Sequence, residues 1–326
     1  MKPTKTLVAA ALATMVALPA AAEELKFASF VPPQHTVTKS LIDKLANDLK
    51  EKTGGALTVR NYPGGELGKG PVEQYVRALQ GVADISWGLQ GYTSSQFPKS
   101  MLIELPGMVP VGKSGADMLW NAFDKYLAPE FPGTVPLGLW VSEPNVMIMK
   151  SKDIRTLADL KGLNIRVAGA VSAQVVSALG ATPVQMPITK VYNALDTGLI
   201  DGVFTGSSAI ADFKLHEVAS SYTIGVPLGR ISFYAVMNKA RFDGLPADRQ
   251  KAVREASGRG LSQSAEDAWH AKGKAAIEAL KADSSKTVIE LTPDQAAPFA
   301  KLTMAVSDKV IKDLGAADVV AAMKGM

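Results

Sequence analysis

Two hydrophobic rhythms alternate along the chain. Leu25–Phe30, Leu57–Tyr62 and Ala83–Trp87 are short apolar or alternating runs that predict β-strands. Between the first two, Thr36–Lys52 carries Leu41, Leu45 and Leu49 at a spacing of four, which predicts a helix with one buried face, closed by Gly54-Gly55. The turn Pro63-Gly64-Gly65 follows the second strand, and a helix opens near Pro71. The second half repeats the rhythm. Asn164–Val167, Pro183–Met186, Ile200–Phe204 and Ile231–Met237 read as strands, and Ser172–Leu179 and Thr189–Thr197 as helices stopped by Gly180 and Gly198. Leu245-Pro246-Ala247-Asp248 opens a long helix running through Trp269 towards Ala282, with an interruption expected near Gly258-Arg259-Gly260, and Thr292-Pro293-Asp294-Gln295 fits a capping box. Strands alternating with helices predict βαβ units and a mainly parallel sheet. The stretches Ala78–Asp84 and Ala194–Asp201 share a helix, a glycine stop and an aspartate entering a strand, which hints at two similar α/β lobes. No low-complexity linker separates them.

One position raises a question of charge. In Leu163–Ala168 the apolar Leu163, Ile165 and Val167 alternate with Asn164, Arg166 and Ala168, and a guanidinium sits at the centre of a half-buried strand. Such a charge is costly inside a protein unless an anion meets it. Asp153 and Asp159 are nearby candidates; a carboxylate from outside is the other.

Composition narrows the class. Lys2 and Lys5, the apolar run Leu7–Leu18 and the small residues Pro19–Ala22 read as a secretory signal peptide over 1–22, cleaved after Ala22. The apolar run is shorter than the ~20 residues that a spanning helix needs. Removing Lys2 and Lys5 lowers the formal net charge from +4 to +2, and with no run of Lys or Arg a nucleic-acid partner is not expected. There is no cysteine, so neither disulfides nor thiolate chemistry is available. A mature chain of about 300 residues suits two lobes.

Few catalytic motifs survive inspection. Gly107–Ser114 fits the phosphate-loop pattern G-x-x-x-x-G-K-S, but Pro110 removes one of the amides that would cradle a phosphate. His35, His216 and His270 have no metal-ligand spacing, and no nucleophile elbow occurs, so neither catalytic residues nor a metal or other cofactor is predicted. His216 reads as a histidine on a helix surface. His35 follows Pro32-Pro33-Gln34 at a strand-to-helix turn, where it either caps the turn or contacts a ligand. Trp87, Gln90 and Tyr92 after the third strand, and Thr205, Ser207 and Ser208 after Ile200–Phe204, are candidates to line a pocket; packing and plain turns are the alternatives.

The stretches TLADLKGLNIRVAG, LGATPVQMPITKVYNALDTGLIDGVFTG, VMNKARFDGLPADRQKAV and NYPGGELGKGPVEQYVRALQGVADI are similar to the solute-binding proteins of TRAP (tripartite ATP-independent periplasmic) transporters, the C4-dicarboxylate-binding, DctP-like family. The resemblance runs over nearly the whole mature chain. It implies an α/β, two-lobed periplasmic binding protein, type II-like, with hinged lobes, crossing strands and long C-terminal helices. One lobe would comprise 23–140 plus about 231–265 and the other 141–230 plus about 266–326. It also implies a periplasmic protein, not an enzyme, that delivers a small organic acid to the small and large integral membrane components, and it places the ligand carboxylate on Arg166, whose planar fork suits it. Many relatives carry Glu and Asn after the DG of the second-lobe strand, where this chain has Val203, Phe204 and Thr205. Relatives often add a second arginine after the crossing, where Glu143–Met149 supplies no cation and Asn145 is the candidate contact. With Trp87, Tyr92, Ile188, Phe204 and Phe233 as walls, a monocarboxylate with an apolar or aromatic body is expected. A C4-dicarboxylate, a sugar acid, or a sensor role without transport are the alternatives.

Overall fold

The computed structural model of the chain describes residues 22–326, so the signal-peptide reading of 1–22 lies, but for Ala22, outside the described residues. The strands are β1 (Glu23–Ala28), β2 (Leu57–Tyr62), β3 (Ile85–Leu89), β4 (Thr134–Val141), β5 (Asn145–Met149), β6 (Asn164–Val167), β7 (Thr182–Gln185), β8 (Gly202–Gly206), β9 (Ser221–Ile224), β10 (Ser232–Asn238) and β11 (Thr287–Glu290). They form two sheets, ordered β2-β1-β3-β10-β4 and β11-β9-β5-β8-β6-β7, one in each lobe.

The βαβ expectation holds within each lobe: β1 pairs in parallel with β2 and β3, and β6 with β7 and β8. The sheets are nevertheless mixed, not mainly parallel. β10 lies antiparallel to β3 and β4, and β5 antiparallel to β8 and β9. The cause is topological, since β5 and β10 each enter their sheet from the other lobe and not through a helical crossover. The two crossings, Ser142–Pro144 and Gly225–Ile231, run side by side. Ser142 N–H donates to the Ile231 carbonyl at 2.8 Å and Asn145 N–H to the Gly229 carbonyl at 2.9 Å.

Leu41, Leu45 and Leu49 are fully buried beneath the first sheet, as their spacing predicts, although the helix begins with a wide π-helical turn over Thr38–Asp43. The long helix expected from Pro246 is two helices, Ala247–Ala256 and Arg259–Ala282. Gly258 separates them with φ +78°, a conformation that side chains disfavour. Arg259–Ala282 touches both β4 and β11 and so bears on both lobes; the boundary expected near residue 265 falls inside it. The capping box at Thr292 and Gln295 forms and opens the helix Pro293–Asp313. That helix packs on Ala170–Ala178 in the second lobe and reaches the first through Ser307 Oγ, 2.8 Å from the Pro106 carbonyl. Among the described residues no helix is long and apolar enough to cross a membrane.

Candidate ligand-binding cleft

Between the sheets lies a cavity with about 450 Å³ of unfilled space, its mouth included. The strand ends supply its wall: Trp87 and Leu89 from β3, Arg166 from β6, Thr205 from β8 and Phe233 from β10. The crossings add Ser142 and Ile231, and the long helix adds Trp269.

Strand periodicity selects what faces the cavity. Ile165 and Val167 point into the core beneath the second sheet, so Arg166 points the other way. The same rule corrects the expectation for Phe204. It packs with Ile165 in that core, while Thr205, its neighbour in β8, lines the cavity.

Arg166 is 1% exposed. Its Nε donates to the Met186 carbonyl at 2.9 Å and its Nη2 lies 3.5 Å from Tyr92 Oη. Among the described residues its remaining donors have no partner and no carboxylate forms an ion pair with it. The two candidate internal partners are engaged elsewhere. Asp153 pairs with Arg155 at 3.2 Å and accepts from Ser221 Oγ at 2.7 Å. Asp159 closes a capping box with Thr156. Burial pulls the Arg166 pKa down from its usual value, with Tyr92 opposing. Burial pushes Tyr92 up, so its phenol stays neutral and accepts the Ile188 N–H at 2.9 Å.

The walls are an aromatic cluster. Phe30 and Trp87 stack at 4.5 Å between ring centroids, and Phe233 lies 5.3 Å from Trp140 and 5.2 Å from Trp269. Trp87 is thus both core and wall, with its Nε1 donating to Ser29 Oγ at 3.1 Å. His35 likewise holds a turn and faces the cavity. Its Nδ1 accepts the Val37 N–H at 3.1 Å, and burial, opposed by Asp212, lowers its pKa to about 4.

Of the residues singled out from sequence, Arg166, Trp87, Ile188, Thr205, Ser208, Phe233 and His35 line one cavity. Tyr92 stands behind Arg166 and Ile188. Ser207 turns to Glu143, at 3.5 Å. Asn145 sits in the crossing with its Nδ2 3.4 Å from the Leu228 carbonyl, and both side-chain polar atoms of Gln90 are buried without a partner. None of these four is in the lining. Asp212, Phe213 and Trp269, which do line it, gave no local signal, because only the tertiary fold brings them beside His35. His216 is exposed on the short turn Leu215–Glu217.

The phosphate-loop match has a physical resolution. Ser114 caps the helix Gly115–Ala122, whose first amides donate to the Glu266 carboxylate at 2.9 and 2.7 Å from Gly115 and Ala116. The anion at this helix start is the protein's own.

Several contacts join the lobes across the cleft. Besides Tyr92 with Ile188, Ser94 Oγ accepts the Ala170 N–H at 3.3 Å and Thr36 Oγ1 donates to Asp212 at 2.7 Å.

Two α/β lobes joined by paired crossings, closed on an aromatic cavity with an unpartnered cation, define a solute-binding protein. The chain belongs to the bacterial extracellular solute-binding protein family 7, DctP, whose model matches residues 27–313. It is 28% identical to the C4-dicarboxylate-binding periplasmic protein DctP of Rhodobacter capsulatus, over 97% of this chain and 95% of that protein. Among solved structures it is similar to a TRAP solute-binding protein from Rhodoferax ferrireducens in complex with copurified benzoate: TM-score 0.85, 28% identity, 93% of this chain and 97% of that one. A marine-metagenome TRAP solute-binding protein specific for aromatic acid ligands, in complex with 3-hydroxybenzoate, gives TM-score 0.87 and 28% identity over 94% of this chain and 98% of that one. The chain is therefore a TRAP solute-binding protein of a periplasmic family, a binding component of transport.

Proposed function

We propose that this protein captures a small monocarboxylate with an aromatic or apolar body and delivers it to TRAP membrane subunits. Arg166 clamps the carboxylate, and the rings of Trp87, Phe30, Phe233 and Trp269 enclose the body. The observation that carries this reading is a guanidinium buried in the cavity wall with no acid of the protein's own. A planar carboxylate satisfies its open donors with two charge-assisted bonds, and stacked rings suit a flat ligand. The benzoate and 3-hydroxybenzoate held by the two solved relatives support the same class. The cavity lining holds no second arginine among the described residues for a C4-dicarboxylate. The lobes divide at the crossings, near residues 140 and 230, and export removes residues 1–22; sequencing the N-terminus of the exported protein should begin at Glu23.

A thermal-shift screen of aromatic, dicarboxylic and sugar acids on refolded, ligand-free protein tests the reading. An aromatic acid at a hundred times its Kd should stabilise the fold by about 2.7 kcal/mol, and Arg166→Ala should abolish the shift. No shift with any monocarboxylate, or a shift that survives Arg166→Ala, overturns it.

A further inference from the structure

The cavity holds a second buried charge that the carboxylate clamp does not use. Asp212 lies in the short helix Ser208–Asp212 of the second lobe; its side chain is 3% exposed and lines the cavity. Its Oδ2 accepts the Thr36 hydroxyl at 2.7 Å and faces His35 Nε2 at 3.5 Å, both from the first lobe. Because His35 Nδ1 accepts the Val37 N–H, the single proton of its neutral ring is on Nε2, directed at Asp212. Among the described residues the other oxygen, Oδ1, meets only the Lys272 ammonium, at 3.9 Å, beyond hydrogen-bond reach. Lys272 is itself 41% exposed and keeps contact with water. The carboxylate therefore has acceptor capacity left over in a wall of aromatic rings: Phe213 lies 5.3 Å from the His35 ring, and Trp87 and Trp269 each 5.7 Å. Arg166 and Asp212 share no hydrogen-bond partner, so the cavity carries two separate polar groups of opposite charge.

We propose that Asp212, held by Thr36 and His35, is a specificity-determining acceptor that selects acids carrying a second hydrogen-bond donor, such as a ring hydroxyl. It rejects a second carboxylate by like charge. The inference rests on the aromatic-acid reading above and narrows it to hydroxylated aromatic monocarboxylates. A ligand O–H donates a charge-assisted bond to Oδ1, whereas an unsubstituted ring leaves that oxygen unpaired. Thr36 and His35 come from the lobe opposite Asp212, so the acceptor is fully positioned only when the lobes are together.

The test is a calorimetric titration of refolded, ligand-free protein with benzoate, 3- and 4-hydroxybenzoate, their methyl ethers, and isophthalate and terephthalate. In the wild type at least one hydroxybenzoate should bind ten or more times tighter than benzoate. Its methyl ether should lose that gain, and the two dicarboxylates should bind weaker than benzoate. In Asp212→Asn the hydroxyl preference should fall below threefold, and the discrimination against dicarboxylates should shrink with it. The methyl-ether comparison needs no variant and stands even if Asp212→Asn does not fold. A hydroxyl preference below tenfold in the wild type, a methyl ether that binds as tightly as its phenol, or a preference unchanged in Asp212→Asn overturns the inference. In each of those cases benzoate binding that is lost in Arg166→Ala leaves the underlying reading standing. If no aromatic acid binds the wild type, both fall.

Discussion

A guanidinium at 1% exposure, with no carboxylate paired to it among the described residues, costs the fold free energy, which a ligand anion returns on the reading proposed above. Arg166→Leu should therefore act in opposite directions on two measurements. Urea denaturation of refolded, ligand-free protein should show the variant more stable by about 1–4 kcal/mol, as when buried charge gives way to packed hydrocarbon. The stabilisation by acid should disappear. Arg166→Lys keeps the charge but loses the planar fork, and the affinity for the acid should fall about tenfold or more. A destabilised Arg166→Leu that still responds to acid contradicts both the cost and the role. At this scale Arg166 stood out because a guanidinium at the centre of a strand amid apolar sequence needs an anion; the choice of a ligand carboxylate over an internal acid came from the family resemblance. Phe204 misled for a related reason. Its aromatic character suggested a wall, but alternation from Thr205 turns it into the core. Asp212 and Trp269 were not legible, since a carboxylate near a helix end and a tryptophan inside a helix are ordinary until His35 arrives from the other lobe.

The strands called from sequence were those with a clear period or a glycine stop. β4, β5, β9 and β11 escaped, and the first three flank the crossings that join the lobes. β5 is buried along its whole length, so Val146–Met149 is a continuous apolar run with no period to read. β4 contains Pro136 and Gly138, which argue against a central strand; it lies at the sheet edge, and its pairing with β10 shifts register beside them. Between β4 and β5 the crossing carries Glu143, a carboxyl that burial pushes up to about 7, with the Ser208 N–H and other hydrogen bonds opposing. Its Oε1 accepts from Ser208 N–H at 2.5 Å, and its Oε2 is buried without a partner. A carboxyl with a raised folded pKa binds its proton more tightly folded than unfolded. Its stabilisation is complete below the unfolded value, near 4.5, and is lost as pH rises through about 7. Glu104, also raised to about 7 by burial, acts in the same direction. His35, lowered to about 4, acts in the opposite one, losing stability as pH falls from 6.5 through about 4. Subtracting a variant isolates the crossing. The stability of wild type minus that of Glu143→Gln should fall by about 3 kcal/mol between pH 4.5 and 8, measured by urea denaturation at each pH. A difference that is flat with pH would show that Glu143 titrates alike in both states.

Closure is a property of the whole molecule, and backbone sets its limit. Gly91, just after β3 in the first lobe, meets Gly169, just after β6 in the second; a Cβ on Gly169 would lie 2.6 Å from Gly91 Cα and 2.7 Å from its carbonyl oxygen. Gly169 has φ −156° and ψ −173°, extended backbone that any residue adopts, so an alanine there imposes no local strain. What it meets is backbone of the opposite lobe, which cannot swing aside as a side chain would. Gly169→Ala should therefore fold with ordinary stability while its lobes are kept apart. A ligand shifts the open–closed equilibrium only by its differential affinity for the two forms, so a penalty on the closed form reappears in full as weaker binding. Acid affinity should fall about tenfold or more, and small-angle scattering should show the acid-saturated variant keeping the radius of gyration of the ligand-free protein while the wild type contracts. Contraction of the variant by the wild-type amount would mean that the loops after β3 and β6 yield to each other. The Arg166 clamp and the Tyr92–Ile188 hydrogen bond would then be enough to draw the lobes together without close contact of their backbones.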